Sequence, residues 1–184
     1  MRGSGEGRVL YVIVCAAGPA GEVGRLIALA QDRGWEVQVI ATLSALAFLD
    51  VPQLELLTSS PVRSEYRSLG EPKSPRADAI IVAPATFNTI NKFAGRTSDT
   101  YALGILAEAP GLGIPVVILP FVNTALAERI PFQHSVARLR AEGVVILLGA
   151  NQCEPHPPGE GGDRIDSFPW EIAIAAVEAQ RSPS

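Results

Sequence analysis

The stretch Ala79–Ala94, AIIVAPATFNTINKFA, limits what this chain can fold into more than any other. Its opening, Ala79-Ile80-Ile81-Val82-Ala83, is short, uniformly apolar and β-branched, and is preceded by Asp78. Such a run fits a strand buried on both faces, inside a parallel sheet covered by helices. Pro84 is expected to stop the ladder, and Thr86, Asn88, Thr89 and Asn91 follow at once. Phe87, Ile90 and Phe93 behind them have the spacing of a helix packed on the sheet. Polar groups therefore gather at the carboxyl end of a central strand where a helix begins, which is where open α/β sheets bind ligands. A single N-cap needs one Thr or Asn. Four exceed that need, so the segment reads as a site.

Upstream, Val9–Ala17 (VLYVIVCAA) is a second apolar run and the expected first, central strand. Gly18-Pro19-Ala20-Gly21 makes a turn, and Val23, Leu26, Ile27 and Ala30 follow at helical spacing up to Gly34, a C′ residue. Trp35–Thr42 is the second strand, completing a right-handed βαβ unit. Gly18, Gly21 and Gly24 do not match G-x-G-x-x-G, and no acidic residue ends the second strand to hold a ribose. Thr42 and Ser44 stand there instead, and hydroxyls suit a phosphate. No Lys-Ser/Thr pair follows the first turn, which excludes a P-loop. A nucleotide bound here is expected to be a mononucleotide rather than NAD or ATP.

Further along, Ser44–Leu49 and Pro52–Leu57 read as short helical pieces, and Thr58–Pro75 as an irregular polar crossover. A helix is expected over Ser98–Ala109 with Ser98 as N-cap and Tyr101, Ile105 and Leu106 on one face. Pro115–Phe121 and Val144–Leu148 are further buried strands, the first ending at Asn123-Thr124. Ala125–Glu142 reads as helix broken at Pro131, with His134 on its solvent side. Gly149–Pro169 is a long Pro/Gly-rich loop, and a structureless loop of that length is usually functional or disordered. A last helix opens at Trp170, anchored by Ile172 or Ile174 and by Val177. The expected architecture is one α/β domain over 9–181 after a flexible 1–8. It is a Rossmann-like (flavodoxin-like), doubly wound parallel sheet of about six strands with helices on both faces.

The net charge of −4 in 184 residues argues against nucleic acid, whose binders carry a basic stripe. No apolar run reaches the ~20 residues of a membrane helix, and the start, MRGSGEGR, lacks a secretory pattern, so a cytoplasmic location is expected. Cys15 and Cys153 imply no disulfide framework. Cys153 and His156 have C-x-x-H spacing, but zinc wants two more ligands and only Cys15 and His134 are left, so no metal is expected.

Together these residues resemble the homo-oligomeric flavin-containing cysteine decarboxylases, which include phosphopantothenoylcysteine decarboxylases and lantibiotic-peptide decarboxylases. The family's PASANT motif is matched by Pro84-Ala85-Thr86-Phe87-Asn88-Thr89. Its P-x-M-N-x-x-M-W motif is matched in part by Pro120–Ala127, where Pro120 and Asn123 are kept and both Met positions and the Trp are not. The resemblance runs from about Val9 to Leu148. It implies FMN as cofactor, with Gly18, Thr42, Ser44, Ala85, Thr86 and Asn88 as contacts, and Asn123 toward the substrate carboxylate. It also implies a homotrimer or a multiple of trimers. Cys153 loosely resembles the reactive cysteine of a flexible clamp in the phosphopantothenoylcysteine enzymes. One departure is marked: the family's histidine before the PASANT strand has no counterpart, and Arg63, Tyr66 and Arg67 occupy that neighbourhood.

Three functions are therefore weighed. The first is an FMN-dependent, decarboxylase-like lyase acting on a small carboxylate- or thiol-bearing substrate or a peptide C-terminus, with Asn123 and Cys153 as candidate active-site groups. The second is a non-catalytic FMN-binding regulatory or partner-binding protein. The third, a flavin prenyltransferase, would need a basic cluster for the prenyl phosphate, and the sequence offers only Arg63, Arg67 and Arg129.

Overall fold

Five of the apolar runs pair side by side as parallel strands in a computed structural model that describes residues 7–181. They are β1 (Arg8–Val14), β2 (Trp35–Ala41), β3 (Ala79–Ala85), β4 (Val116–Pro120) and β5 (Val145–Ile146), in the order β2-β1-β3-β4-β5. That is the flavodoxin-like order, with its switch point between β1 and β3. The flexible start expected over 1–8 lies outside the described residues except for Gly7 and Arg8, and Arg8 already belongs to β1.

There are five strands rather than about six. A further edge is begun but not built: Arg63 bridges Ile40, with Ala41 N–H donating to Arg63 O (2.8 Å) and Arg63 N–H to Val39 O (3.1 Å). Pro61, two residues earlier, has no N–H to extend that ladder.

Strand alternation divides the core in two. Leu10, Val12 and Val14 of β1 face α1 (Gly24–Gln31) and α7 (Trp170–Arg181), while Val9, Tyr11 and Ile13 face the opposite layer. That second layer comprises α3 (Phe87–Ala94), α4 (Tyr101–Glu108) and α6 (Ile130–Ala141). Leu54 seats α2 (Val51–Thr58) on the first face. Of the two isoleucines expected to anchor α7, Ile174 is fully buried and Ile172 only partly, with Trp170 fully buried beside Phe168. Gly34 adopts the left-handed conformation (φ 76°) expected just past α1.

Several boundaries differ from the sequence reading, each for a local reason. Pro84 does not stop β3, which runs through a cis Ala83–Pro84 peptide to Ala85 with a register shift against β4 between Val82 and Ala85. α4 begins after Thr100 rather than Ser98, because Thr100 Oγ1 accepts from Leu103 N–H (3.3 Å). The long helix is two pieces, α5 (Thr124–Ala127) and α6, and the break falls at Glu128-Arg129. Pro131 sits inside the first turn of α6, where a missing N–H costs nothing. No helix among the described residues is long and apolar enough to cross a membrane.

Phe132 pins α6 to the sheet at zero exposure and stacks on Phe87 of α3 (centroids 5.2 Å). Phe132→Ala is expected to lower unfolding free energy by about 3–5 kcal/mol, as cavity-forming core truncations do. Urea denaturation checks this, and a loss below about 1 kcal/mol would mean that α6 does not pack here.

Candidate functional site

Parallel strands bring their carboxyl ends, and the loops after them, to one edge. Backbone hydrogen bonds beyond the ladders fix those ends together: Thr42 N–H to Val14 O (2.9 Å), Cys15 N–H to Pro84 O (3.1 Å) and Phe121 N–H to Ala85 O (2.8 Å). The turns after β1, β2, β3 and β4 therefore sit side by side, and the sequence-predicted flavin contacts lie on the first three, apart from Ala85, which is the last residue of β3.

The first two turns are 3-10 turns, Gly18–Glu22 and Leu43–Phe48, and neither receives a side-chain cap. Thr42 heads the second, yet its hydroxyl accepts from no backbone N–H there. Ser44, one residue into that turn, is exposed. The turns touch: a Cβ on Gly21 would lie 3.3 Å from Phe48 O. Amide donors and two hydroxyls thus share one edge with their bonding capacity unspent, which is the chemistry an anionic oxygen requires.

The third turn is different, because most of its polar groups are consumed internally. Thr86 Oγ1 caps α3 by accepting from Thr89 N–H (3.3 Å) and is 3.1 Å from Thr89 Oγ1. Cys15 Sγ donates to Thr89 Oγ1 (3.3 Å), and burial raises the Cys15 thiol pKa while the bonds to Thr89 and Thr86 oppose that shift. Asn91 Oδ1 accepts from Ser135 Oγ (2.7 Å), tying α3 to α6. Of the four polar residues that mark the segment in sequence, Asn88 alone is exposed with its carboxamide unspent.

At the end of β4, Asn123 Oδ1 caps α5 by accepting from Leu126 N–H (2.9 Å). Its Nδ2, the donor half of the amide, carries no part of that cap.

The Gly149–Pro169 segment is ordered rather than structureless. Leu148 bridges Cys153, Asn123 bridges His156, and a 3-10 turn spans Gly161–Arg164. Thr124 N–H donates to His156 O (2.9 Å) and His156 N–H to Val122 O (3.3 Å). The segment then reaches back across the edge, so that a Cβ on Gly18 would lie 3.3 Å from both Ile165 Cγ1 and Phe121 Cε1. Phe121 stacks at a tilt on His156 (4.8 Å) and edge-on against Phe168 (5.7 Å). A cleft of about 340 Å³ opens between this segment and the β4 end, lined by Phe121, Cys153, His156 and Arg164 among others. None of Gly18, Thr42, Ser44, Ala85, Thr86 or Asn88 lines it.

Cys153 is a neutral thiol in this setting. It is buried, donates to Pro120 O (3.1 Å), and burial pushes its pKa up to about 11 although the Arg164 charge pulls the other way. Sequence reasoning missed Phe121, His156 and Ile165 as parts of the edge. His156 had been weighed only as a zinc ligand, and among the described residues no three His, Cys, Asp or Glu side chains converge to hold a metal. The signal that could have found them is aromatic and His residues within a Pro/Gly-rich segment.

Arg63, Tyr66 and Arg67, which occupy the neighbourhood of the absent family histidine, lie elsewhere, around a second cleft with Tyr11 and Tyr101. Arg129 is not among them; its guanidinium lies 6.0 Å from the centroid of the Phe87 ring.

A 2-1-3-4-5 parallel sheet with open turns along its carboxyl edge defines a doubly wound α/β ligand-binding protein. The Flavoprotein family profile matches residues 3–162, and the chain belongs to that family. It is 27% identical over 161 residues to the coenzyme A biosynthesis bifunctional protein CoaBC of Escherichia coli (strain K12), a match that covers 80% of this chain and 38% of that protein. In fold it is similar to the FMN-dependent cysteine decarboxylase SpaF (TM-score 0.66, 22% identity, 91% of this chain and 97% of that one). It is likewise similar to the FMN binding protein AtHal3 (TM-score 0.68, 19% identity, 94% and 98%).

A thiol with a pKa of about 11 is a thiolate in roughly one molecule in ten thousand at pH 7, and only the thiolate is alkylated. Cys153 of the folded protein should therefore react slowly with iodoacetamide at pH 7, speeding up about tenfold per pH unit toward pH 10. Peptide mass spectrometry over a pH series checks this. Rapid labelling at pH 7 that plateaus below pH 9 would show an activated thiol instead.

Proposed function

We propose that this chain binds FMN across its first three turns and acts as a decarboxylase-like flavin enzyme on a small carboxylate- or thiol-bearing substrate or a peptide C-terminus. The observation that carries the reading is the set of unspent polar groups at the edge. Thr42 and Ser44 hydroxyls and uncapped amides supply a phosphate cradle, and the exposed Asn88 carboxamide supplies both a donor and an acceptor for the rim of a flavin ring. Gly18 adds no side chain to the first turn, and the small Ala85 ends β3 at this edge. Thr86 acts from behind, since its hydroxyl holds the turn that presents Asn88.

When bound, FMN supplies two-electron oxidation and reduction. The chain's own groups bind and orient. With Oδ1 spent on the cap, Asn123 has its Nδ2 donor left for a substrate carboxylate. His156 is the imidazole at this edge, and the contact between Nδ1 and Pro157 O (2.9 Å) assigns the ring proton to Nδ1 and leaves Nε2 to accept one. Ile165 and Phe121 lie against Gly18 at the start of the first turn.

A second reading, an FMN-binding protein without turnover that serves a regulatory partner, is favoured by two specific observations. The 58–78 crossover holds no histidine, and Cys153 is held as a neutral thiol. Prenyl transfer is disfavoured, because Arg63 and Arg67 line a different cleft from the turns and Arg129 lies over Phe87. The trimer implied by the resemblance is supported by Leu43, Phe48 and Leu56, exposed on the turn and helix that follow Thr42.

The purified protein is expected to absorb in the flavin bands and to release FMN, not FAD, on denaturation; a protein that stays colourless after incubation with FMN would sink the reading. In gel filtration it should run well above 19.4 kDa, and a clean monomer that retains flavin would remove the oligomeric part alone.

Asn88→Leu removes bonds to polar flavin atoms worth about 1–3 kcal/mol, so FMN affinity should fall roughly ten- to a hundredfold. Asn123→Asp keeps the α5 cap acceptor and should leave FMN affinity within about threefold of the parent. FMN titration by fluorescence quenching checks both, and the reverse pattern would exchange the two strand ends.

A further inference from the structure

The second cleft has a volume of about 530 Å³ and an unusual concentration of chemistry. The chain has three tyrosines, and all three, Tyr11, Tyr66 and Tyr101, line it. Arg63, Arg67 and Lys73 line it too, and no aspartate or glutamate does. This occurs in a chain of net charge −4.

The positive charge is only partly answered. Arg63 pairs with Glu71 (2.7 Å) and donates to Pro72 O (3.3 Å), while its Nε is buried without a hydrogen-bond partner. Arg67 donates to the Glu71 backbone carbonyl (3.1 Å). No carboxylate among the described residues pairs with Arg67 or Lys73.

The aromatic wall is shaped as well. Tyr66 meets Tyr101 edge to face (5.2 Å, 72°), and its hydroxyl rests where a Cβ on Gly104 would be. A glycine inside α4 weakens the helix, and at this position it admits the Tyr66 ring.

We propose that this cleft binds an organic oxyanion, a carboxylate or a phosphate ester carried on an aromatic or flat apolar body. Arg67 and Lys73 face the anionic head with no competing acid in the lining. Guanidinium groups bind planar oxyanions by charge-assisted bonds. The tyrosine rings offer the body an apolar face, and their hydroxyls offer donors. The site is separate from the flavin turns, none of whose residues lines it, and does not rest on the FMN reading. It is nonetheless anchored to the same edge, because Arg63 O accepts from Ala41 N–H, one residue before Thr42.

Isothermal titration calorimetry of the full chain with benzoate, phenyl phosphate and benzyl alcohol tests this. Saturable binding of benzoate, of phenyl phosphate or of both is expected, and the tighter anion names the head group. Benzyl alcohol should bind at least tenfold more weakly. Arg67→Gln combined with Lys73→Gln should weaken the anion at least tenfold at unchanged thermal midpoint. Gly104→Ala should do the same while holding or raising that midpoint, because Ala favours the helix and only Tyr66 is displaced. No saturation by either anion below about 10 mM, equal binding of benzyl alcohol, or anion affinity unchanged in both variants would overturn the proposal. FMN titrated into the Arg67/Lys73 variant should bind as it does to the parent; its loss would put flavin in this cleft and overturn the separation. Failure of FMN to bind the parent would leave the anion arms intact.

Discussion

The site depends on three backbone hydrogen bonds made after the strands have ended. Val14 O accepts from Thr42, Pro84 O from Cys15 and Ala85 O from Phe121, and between them they hold the ends of β1, β2, β3 and β4 at one level. A parallel sheet buried on both faces positions strands well along their length, but loops diverge beyond the last ladder bond. Here the divergence is delayed by one or two residues. The turns of the first two strands consequently meet, and the caps of the third and fourth are set beside them. Because these bonds are backbone to backbone, the arrangement tolerates change in the side chains displayed on it.

What is displayed divides into groups already committed and groups held free. Thr86, Thr89, Asn91 and the Oδ1 of Asn123 are spent on caps and cross-links. Thr42, Ser44, Asn88 and the Nδ2 of Asn123 are not part of those bonds. The count of polar residues that first draws attention to the PATFNT segment is therefore a poor guide to the number of ligand contacts. Most of that polarity builds the turn, and one exposed carboxamide, that of Asn88, is left over.

The parts of the fold that were legible in sequence are those with a period. Alternation and apolar runs located β1 to β5, and helical spacing located α3, α6 and α7, because burial on a fixed face leaves a repeating mark. The sixth strand was expected by number and placed on no residues; the crossover past β2 adds a single bridge, Arg63 to Ile40, and the sheet has five strands. Pro84 misled in the opposite sense, since β3 runs through it to Ala85. The 149–169 segment was illegible because its order comes from bridges to residues far away in sequence, Cys153 to Leu148 and His156 to Asn123. The tyrosine cleft was illegible for the same reason, as Tyr11, Tyr66 and Tyr101 come from a strand, a crossover and a helix with no shared spacing.

The two cysteines narrow the chemistry further. Each is buried, each donates to an oxygen of the chain, and burial raises the pKa of both. Neither is prepared as a nucleophile near neutral pH, where a thiolate needs a nearby cation or a helix N-terminus to form. Cys15 instead serves as part of the wall, bonded to the Thr89 hydroxyl that also supports the third turn. His156 lies at the same edge, against the Phe121 ring and with Nδ1 on the Pro157 carbonyl. The segment most distant from periodic sequence signal thus supplies an imidazole to the edge, through the bridge between His156 and Asn123.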